Sequence, residues 1–181
     1  MGSPAVAQLA HDARLIRIVS SVLGPNALPY RATLFDKSPT SNWLVVWHQD
    51  TALPLVRRTD VSGWGPWSEK AGIVYAHAPA AALERVLALR IHLDDSTESN
   101  GPLRVLPGTH RRGVLTDEVL QALTREIEPV DCLAMRDSVL VMRPLIVHAS
   151  SKSRADAPRR VLHIEYATSM QLGEGLELAI A

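Results

Sequence analysis

The chain has 181 residues, with 19 Lys plus Arg against 19 Asp plus Glu, so its formal net charge is zero. That length suits one domain, residues 1–181, with a core of its own. The balanced charge gives no electrostatic basis for a nucleic-acid or membrane-surface partner, and no apolar run approaches spanning length. A single cysteine, Cys132, excludes an internal disulfide and suits a reducing compartment. Its apolar context, Val130-Asp131-Cys132-Leu133, reads as a buried thiol and not as a nucleophile. With no leader-like start, the expected location is cytoplasmic.

Ala5 to Leu23 carries apolar residues at the helical period (Leu9, Ala13, Ile16, Val19) and stops at Gly24-Pro25. The expectation is an outer helix within residues 1–25. From Leu28 the pattern changes to strands, at Leu28 to Phe35 and Trp43 to His48. Residues 51–80 hold Pro54, Gly63, Gly65, Pro66 and Gly72, with Trp64 and Trp67, and read as a long lid or side wall. Val86 to Leu93 is the next strand, Asn100-Gly101 a hairpin turn, and Leu103 to Leu106 the return strand. Thr116 to Glu126 is helical, with Thr116 as N-cap. Val130 to Met135, Val139 to Met142, Leu145 to His148 and Arg159 to Tyr166 complete the strands. Many short strands between turn signals point to a sandwich, barrel or jelly roll spanning 28–166, and not to a parallel βαβ architecture.

Two features carry chemistry. In His48-Gln49-Asp50, residues two apart on a strand share a face, so one imidazole and one carboxylate can reach the same ion. A second His from a distant strand gives the two-His, one-carboxylate face that leaves open positions on Fe(II). His148 ends the apolar run Leu145-Ile146-Val147, and Arg154, Arg159 and Arg160 follow it. A keto-acid cosubstrate has a free carboxylate that a buried Arg can grip in bidentate fashion. Strand alternation turns Arg160 inward with Leu162, Ile164 and Tyr166. Arg159 shares its face with Val161, His163 and Glu165, a mixed face that suits a polar interior near a metal.

These pieces lie in one order: Trp47-His48-Gln49-Asp50, Leu89 to Asp95, Asn100 to His110, Arg136-Asp137-Ser138, His148-Ala149-Ser150 and Arg159. In this the chain resembles the phytanoyl-CoA dioxygenase family over about residues 34–166. The resemblance implies a mainly β fold, a double-stranded β-helix (jelly roll, cupin-like) with flanking helices. It implies that His48, Asp50 and His148 bind iron. It also implies that Arg159, eleven residues past the distal His, holds 2-oxoglutarate, with Ser150 as a second contact. Arg160 stands in reserve for Arg159.

The function expected is an Fe(II)- and 2-oxoglutarate-dependent dioxygenase that hydroxylates a small organic substrate with O2 and releases succinate and CO2. Ascorbate is a possible reductant, and the chain is expected as a monomer or homodimer. The carboxylate at Asp50 favours hydroxylation over halogenation. The rivals are a metal-binding cupin enzyme independent of 2-oxoglutarate and a catalytically silent binding module. Lys37 divides evenly between a cosubstrate contact and a solvated loop residue, and Asn42 between a cosubstrate donor and a strand cap. Trp64 and Trp67 stack on a substrate or pack the excursion down. Arg90 and His92 share a strand face and could line the pocket, but an ion pair with a carboxylate such as Asp94 is the plainer reading. His110 is read as structural, His77 and His163 as non-ligand, and His11 as solvated.

Overall fold

The computed structural model describes residues 2–181. The single N-terminal helix expected from periodicity is two, α1 (Pro4–Ala10) and α2 (Ala13–Leu23). The break falls at His11-Asp12. Asp12 accepts the Arg14 N–H and caps α2, satisfying a donor that a helix start otherwise leaves bare. The apolar period runs across this break, which is why the pattern looks continuous. Gly24 ends α2 at φ 89°.

Strands β1 (Leu28–Lys37) and β2 (Val45–His48) follow. The excursion at 51–80 is a folded sheet, with β3 (Ala52–Leu55), β4 (Trp67–Lys70) and β5 (Ile73–His77) in the order β3-β5-β4. Its Pro and Gly residues mask it in the sequence. Pro54 sits in edge strand β3, where a missing N–H is tolerated. Ala71 and Gly72, at φ 51° and 77°, make the two-residue turn from β4 to β5. A short helix, α3 (Ala80–Leu83), leads into β6 (Val86–His92). Then come β7 (Leu103–Val105), α4 (Asp117–Glu126), β8 (Val130–Cys132), β9 (Val139–Met142), β10 (His148–Ser150) and β11 (Arg159–Ala167). A small pair, β12 (Gln171–Gly173) and β13 (Leu176–Glu177), closes the chain.

Two four-stranded sheets, ordered β1-β11-β6-β9 and β2-β10-β7-β8, form the double-stranded β-helix. The chain divides into two compact units. One holds residues up to Ala32, Thr51–Leu89 and Ile164–Ala181; the other holds Thr33–Asp50 and Arg90–His163. In the first unit, Tyr166 donates its hydroxyl to Ala10 O, and Arg31 pairs with Glu165 at 3.3 Å. Among the described residues no helix is long and apolar enough to cross a membrane.

The second unit carries the chemistry-bearing residues. Alternation along β2 and its approach to β10 sorts their side chains. Trp47 and Val147 turn toward Leu106 and Leu123 in a cluster that takes in Leu115, Leu120 and Ile127 around α4. Each fully buried aliphatic side chain there stabilises by roughly 1.5–3 kcal/mol. Thr116 caps α4 by accepting the Val119 N–H. With Trp47 and Val147 anchored on that side, His48 and His148 face the other way.

The Asn100-Gly101 segment departs from the expected hairpin, because β6 and β7 lie in different sheets. Asn100 accepts the Thr97 N–H and donates to Asp95 O, which closes the turn. Gly101 has φ 68°, and a Cβ there would collide with the backbone oxygen of Ser151. That oxygen accepts from Lys37, and Gly101 O itself accepts from Ser150. Gly101→Ala should therefore destabilise by about 1–3 kcal/mol, read as a lower urea midpoint. An unchanged midpoint would show that the backbone relaxes freely there.

Candidate active site

His48 and His148 are directly opposite each other on antiparallel strands β2 and β10. Opposite residues on one face hold their side chains close, and the two ring centroids are 4.2 Å apart. Each ring is fixed at Nδ1 by the carbonyl two residues earlier, His48 on Val46 O at 2.8 Å and His148 on Ile146 O at 2.9 Å. With Nδ1–H donating, the neutral form of each ring leaves its lone pair on Nε2. Both Nε2 atoms face Asp50, at 3.4 Å from Oδ1 and 3.6 Å from Oδ2.

Asp50 lies just past the end of β2, held by its N–H on Pro144 O at 3.0 Å. The preceding residue, Gln49, donates to Gly113 O and Leu145 O and accepts the Leu115 N–H. Sequence reasoning missed this anchor, although the position of Gln49 between two candidate ligands was the available signal. Burial pushes the Asp50 carboxyl up, yet His48, His148 and His163 around it hold it far below its usual range. Burial pulls His48 down, but its bond to Asp50 raises it overall; burial keeps His148 low. The side chains of His48 and Asp50 remain 37% and 39% exposed, so this group opens to solvent on one side.

Away from that opening, Arg159 is buried at 3% exposure. Its Nε donates to Asn100 O and its Nη2 to Ser150 Oγ at 3.4 Å, while the buried Nη1 has no partner. Arg160 points outward and pairs with Asp94 at 2.8 Å. Strand alternation alone favoured the opposite assignment; it fails because nearly all of β11 is buried on both faces. Lys37 is buried at 1% exposure, so the solvated reading does not hold. Its Nζ donates to Ser150 Oγ and Ser151 O. Burial, and the charge of Arg159 beside it, push its ammonium down to about 8. Asn42 does not line the cavity; its amide donates to Ser153 O and accepts the Ser153 N–H, clamping the loop after β10.

The cavity between these ends is lined by Phe35, Trp43, Val45, Leu103, Ala149, Arg90 and His163, together with His48, Asp50, His148, Ser150 and Arg159. Arg90 is thus an interior residue. The ion pair with Asp94 expected for it is absent, since Asp94 is taken by Arg160. His92, on the same strand face, is 1% exposed and neither ring nitrogen has a partner. Burial, then the cations Arg90 and Arg159, push its imidazole down to about 4. An unfolded His titrates near 6.5, so the unfolded chain binds the proton first as pH falls. The wild-type melting temperature should drop between pH 6.5 and 4 more steeply than that of His92→Leu. Parallel curves would contradict this.

The remaining candidates lie elsewhere. His77 bonds Thr51 Oγ1 at 2.7 Å, and His11 bonds Ala7 O on an exposed helix end. His110 falls in a 3-10 turn. Trp64 and Trp67 do not line the cavity, and the Arg58 guanidinium lies 5.6 Å from the Trp67 ring. Cys132 is half-buried, with its thiol pushed up by burial.

The profile of the family described as phytanoyl-CoA dioxygenase (PhyH) matches residues 1–161. The chain belongs to the phytanoyl-CoA dioxygenase family. No curated protein matches it. Among solved structures, it is similar to AviO1 from Streptomyces viridochromogenes Tue57, at 25% identity and TM-score 0.62, over 88% of this chain and 59% of that one. It is similar also to EctD from S. alaskensis with bound Fe, at 21% identity and TM-score 0.68, over 99% and 64%. EctD crystallised with 2-oxoglutarate and 5-hydroxyectoine gives 22% and 0.67, over 92% and 53%. The EctD structures establish a shared fold. This phytanoyl-CoA dioxygenase family chain spans less than two thirds of each of these neighbours.

Proposed function

We propose that this chain is a non-haem Fe(II)- and 2-oxoglutarate-dependent oxygenase that hydroxylates a small organic substrate. The observation that carries the reading is the donor set. Two Nε2 atoms and one carboxylate oxygen lie within 4.8 Å of one another, and because each ring spends Nδ1–H on a backbone carbonyl, its neutral form presents the Nε2 lone pair to the others. Octahedral ligands at about 2.1 Å from an ion stand about 3 Å apart, so separations of 3.4 and 3.6 Å need only a small inward shift. The fit extends to the cosubstrate: the unpartnered Nη1 of buried Arg159 needs an anion.

Bound there, ferrous iron and the 2-oxo acid supply the activation of O2 that the side chains cannot. The products of the reaction would be the hydroxylated substrate, succinate and CO2. The chain's own residues set position and charge. Val46 O and Ile146 O fix the ring tautomers and orientations, the role that outer partners of ligating His residues play. Gln49 and Pro144 O hold the Asp50 backbone. Arg159 and Ser150 grip the far carboxylate, with Lys37 behind them. The exposed edge of His48 and Asp50 is the side from which a substrate approaches. A cupin enzyme without 2-oxoglutarate, or a silent binding module, gives no reason to keep Arg159 buried without a counter-charge.

The test is mass-spectrometric detection of succinate formed from 2-oxoglutarate with Fe(II), ascorbate and O2, alongside calorimetric binding of 2-oxoglutarate. Succinate should form only with Fe(II) and should disappear in Asp50→Ala. Neither succinate nor any 2-oxoglutarate binding would overturn the reading.

A further inference from the structure

Three cations lie buried in the second unit, Lys37, Arg90 and Arg159, at 1%, 7% and 3% exposure. None makes a salt bridge to a carboxylate among the described residues. Among the described residues lining the cavity, Asp50 is the sole carboxylate, and it belongs to the candidate metal centre. A buried guanidinium without a counter-charge costs several kcal/mol, so such a set persists where an anion completes it. Arg159 and Lys37 have been accounted for; Arg90 has not.

Arg90 Nη1 bonds His163 Nδ1 at 3.2 Å, a contact that supplies no carboxylate. Its guanidinium lies 5.3 Å from the centre of the Phe35 ring. That contact holds the planar head in place but supplies no charge. Its Nε is buried with no partner, as is Nη1 of Arg159. Burial first, then the charge of Arg159, hold Arg90 down at about 10, where it is still a cation at neutral pH. Phe35 and Lys37 lie two apart on β1, on one face, and Lys37 and Arg159 both donate to Ser150 Oγ. Arg90 over Phe35 is therefore one same-face step along β1 from the Lys37–Ser150–Arg159 group.

We propose that Arg90 is a second anchor for the far carboxylate of the 2-oxo acid, sharing it with Arg159 and so setting a preference for dicarboxylic over monocarboxylic 2-oxo acids. This rests on the oxygenase reading above. One carboxylate has about four lone-pair sites, enough for both guanidiniums and the Ser150 hydroxyl. Arg90 is a positioning and specificity residue in this scheme, since it touches the end of the cosubstrate that does not react.

The test is calorimetric titration, under Mn(II), of 2-oxoglutarate and of 2-oxopentanoate, which has the same chain length but no far carboxylate. In Arg90→Met the Kd for 2-oxoglutarate should rise at least tenfold, while that for 2-oxopentanoate changes less than twofold. Arg90→Lys should recover part of the difference and serves also if the Met variant folds poorly. Without ligand, Arg90→Met should melt no lower than wild type, because it removes an unpaired buried charge. Equal weakening of both ligands, or of neither, would overturn the proposal while leaving the oxygenase reading intact. Failure of wild type to bind 2-oxoglutarate at all would overturn both.

Discussion

His148→Ala is expected to lower Fe(II) affinity by more than about 100-fold and to end succinate formation. Changing an outer-shell partner of a ligand typically costs 10–100-fold in metal affinity, so removing a ligand itself costs more. The other two groups offer no compensation. His48 and Asp50 are more than a third exposed and would leave the ion on a two-point, solvent-washed contact. His148 is the buried member, and its ring is locked by Ile146 O and the register of β10 against β2 and β7. Fold loss is a poor explanation for any effect, because Val147, on the opposite face, carries the packing against α4. Equilibrium dialysis with Fe(II) under anaerobic conditions checks the affinity, and mass spectrometry checks succinate. Retention of both in the variant would remove His148 from the proposed centre.

Arg159→Met is expected to raise the Kd for 2-oxoglutarate by about 30-fold to several thousandfold, the range for truncating one partner of a buried, hydrogen-bonded charge pair. The effect should exceed that of Arg90→Met. Arg159 is held by Asn100 O and Ser150, so its guanidinium is already ordered and little entropy is lost on binding. Fe(II) affinity without the cosubstrate should stay within a few-fold of wild type, since Arg159 is not among the clustered donors. The matching change at Arg160, which forms an exposed pair with Asp94, should leave 2-oxoglutarate binding unaltered. Calorimetry on the three proteins decides it. A larger loss in the Arg160 variant would exchange the two roles.

These expectations also show what the sequence made legible. His48 and Asp50 were readable because a two-residue spacing at a strand end is a local fact, and His148 because it closes a short apolar strand. Many short strands between turn signals narrowed the fold to a sandwich, barrel or jelly roll, and the family resemblance selected the jelly roll. Arg159 was not readable from alternation alone, since β11 is buried on both faces and a period of two then carries no inside–outside signal. The same limit applies to Arg90. Its face on β6 was clear, but the local carboxylate that seemed to explain it is claimed by Arg160 from β11, a long-range pairing that no local pattern encodes. The sheet within 51–80 was hidden because its strands carry Pro54 and a tight Ala71-Gly72 turn, the same residues that mark loops. At Asn100-Gly101 the turn was real, but the choice between a hairpin and a crossing to the other sheet is made by tertiary pairing.

The most direct measurement is an anaerobic crystal structure of the protein soaked with Fe(II). One ion bonded at once to Nε2 of His48, a carboxylate oxygen of Asp50 and Nε2 of His148, with its remaining positions open toward Arg159, is the predicted result. An ion bound elsewhere, or one that engages His48 and Asp50 while His148 stays on its own, would contradict the account.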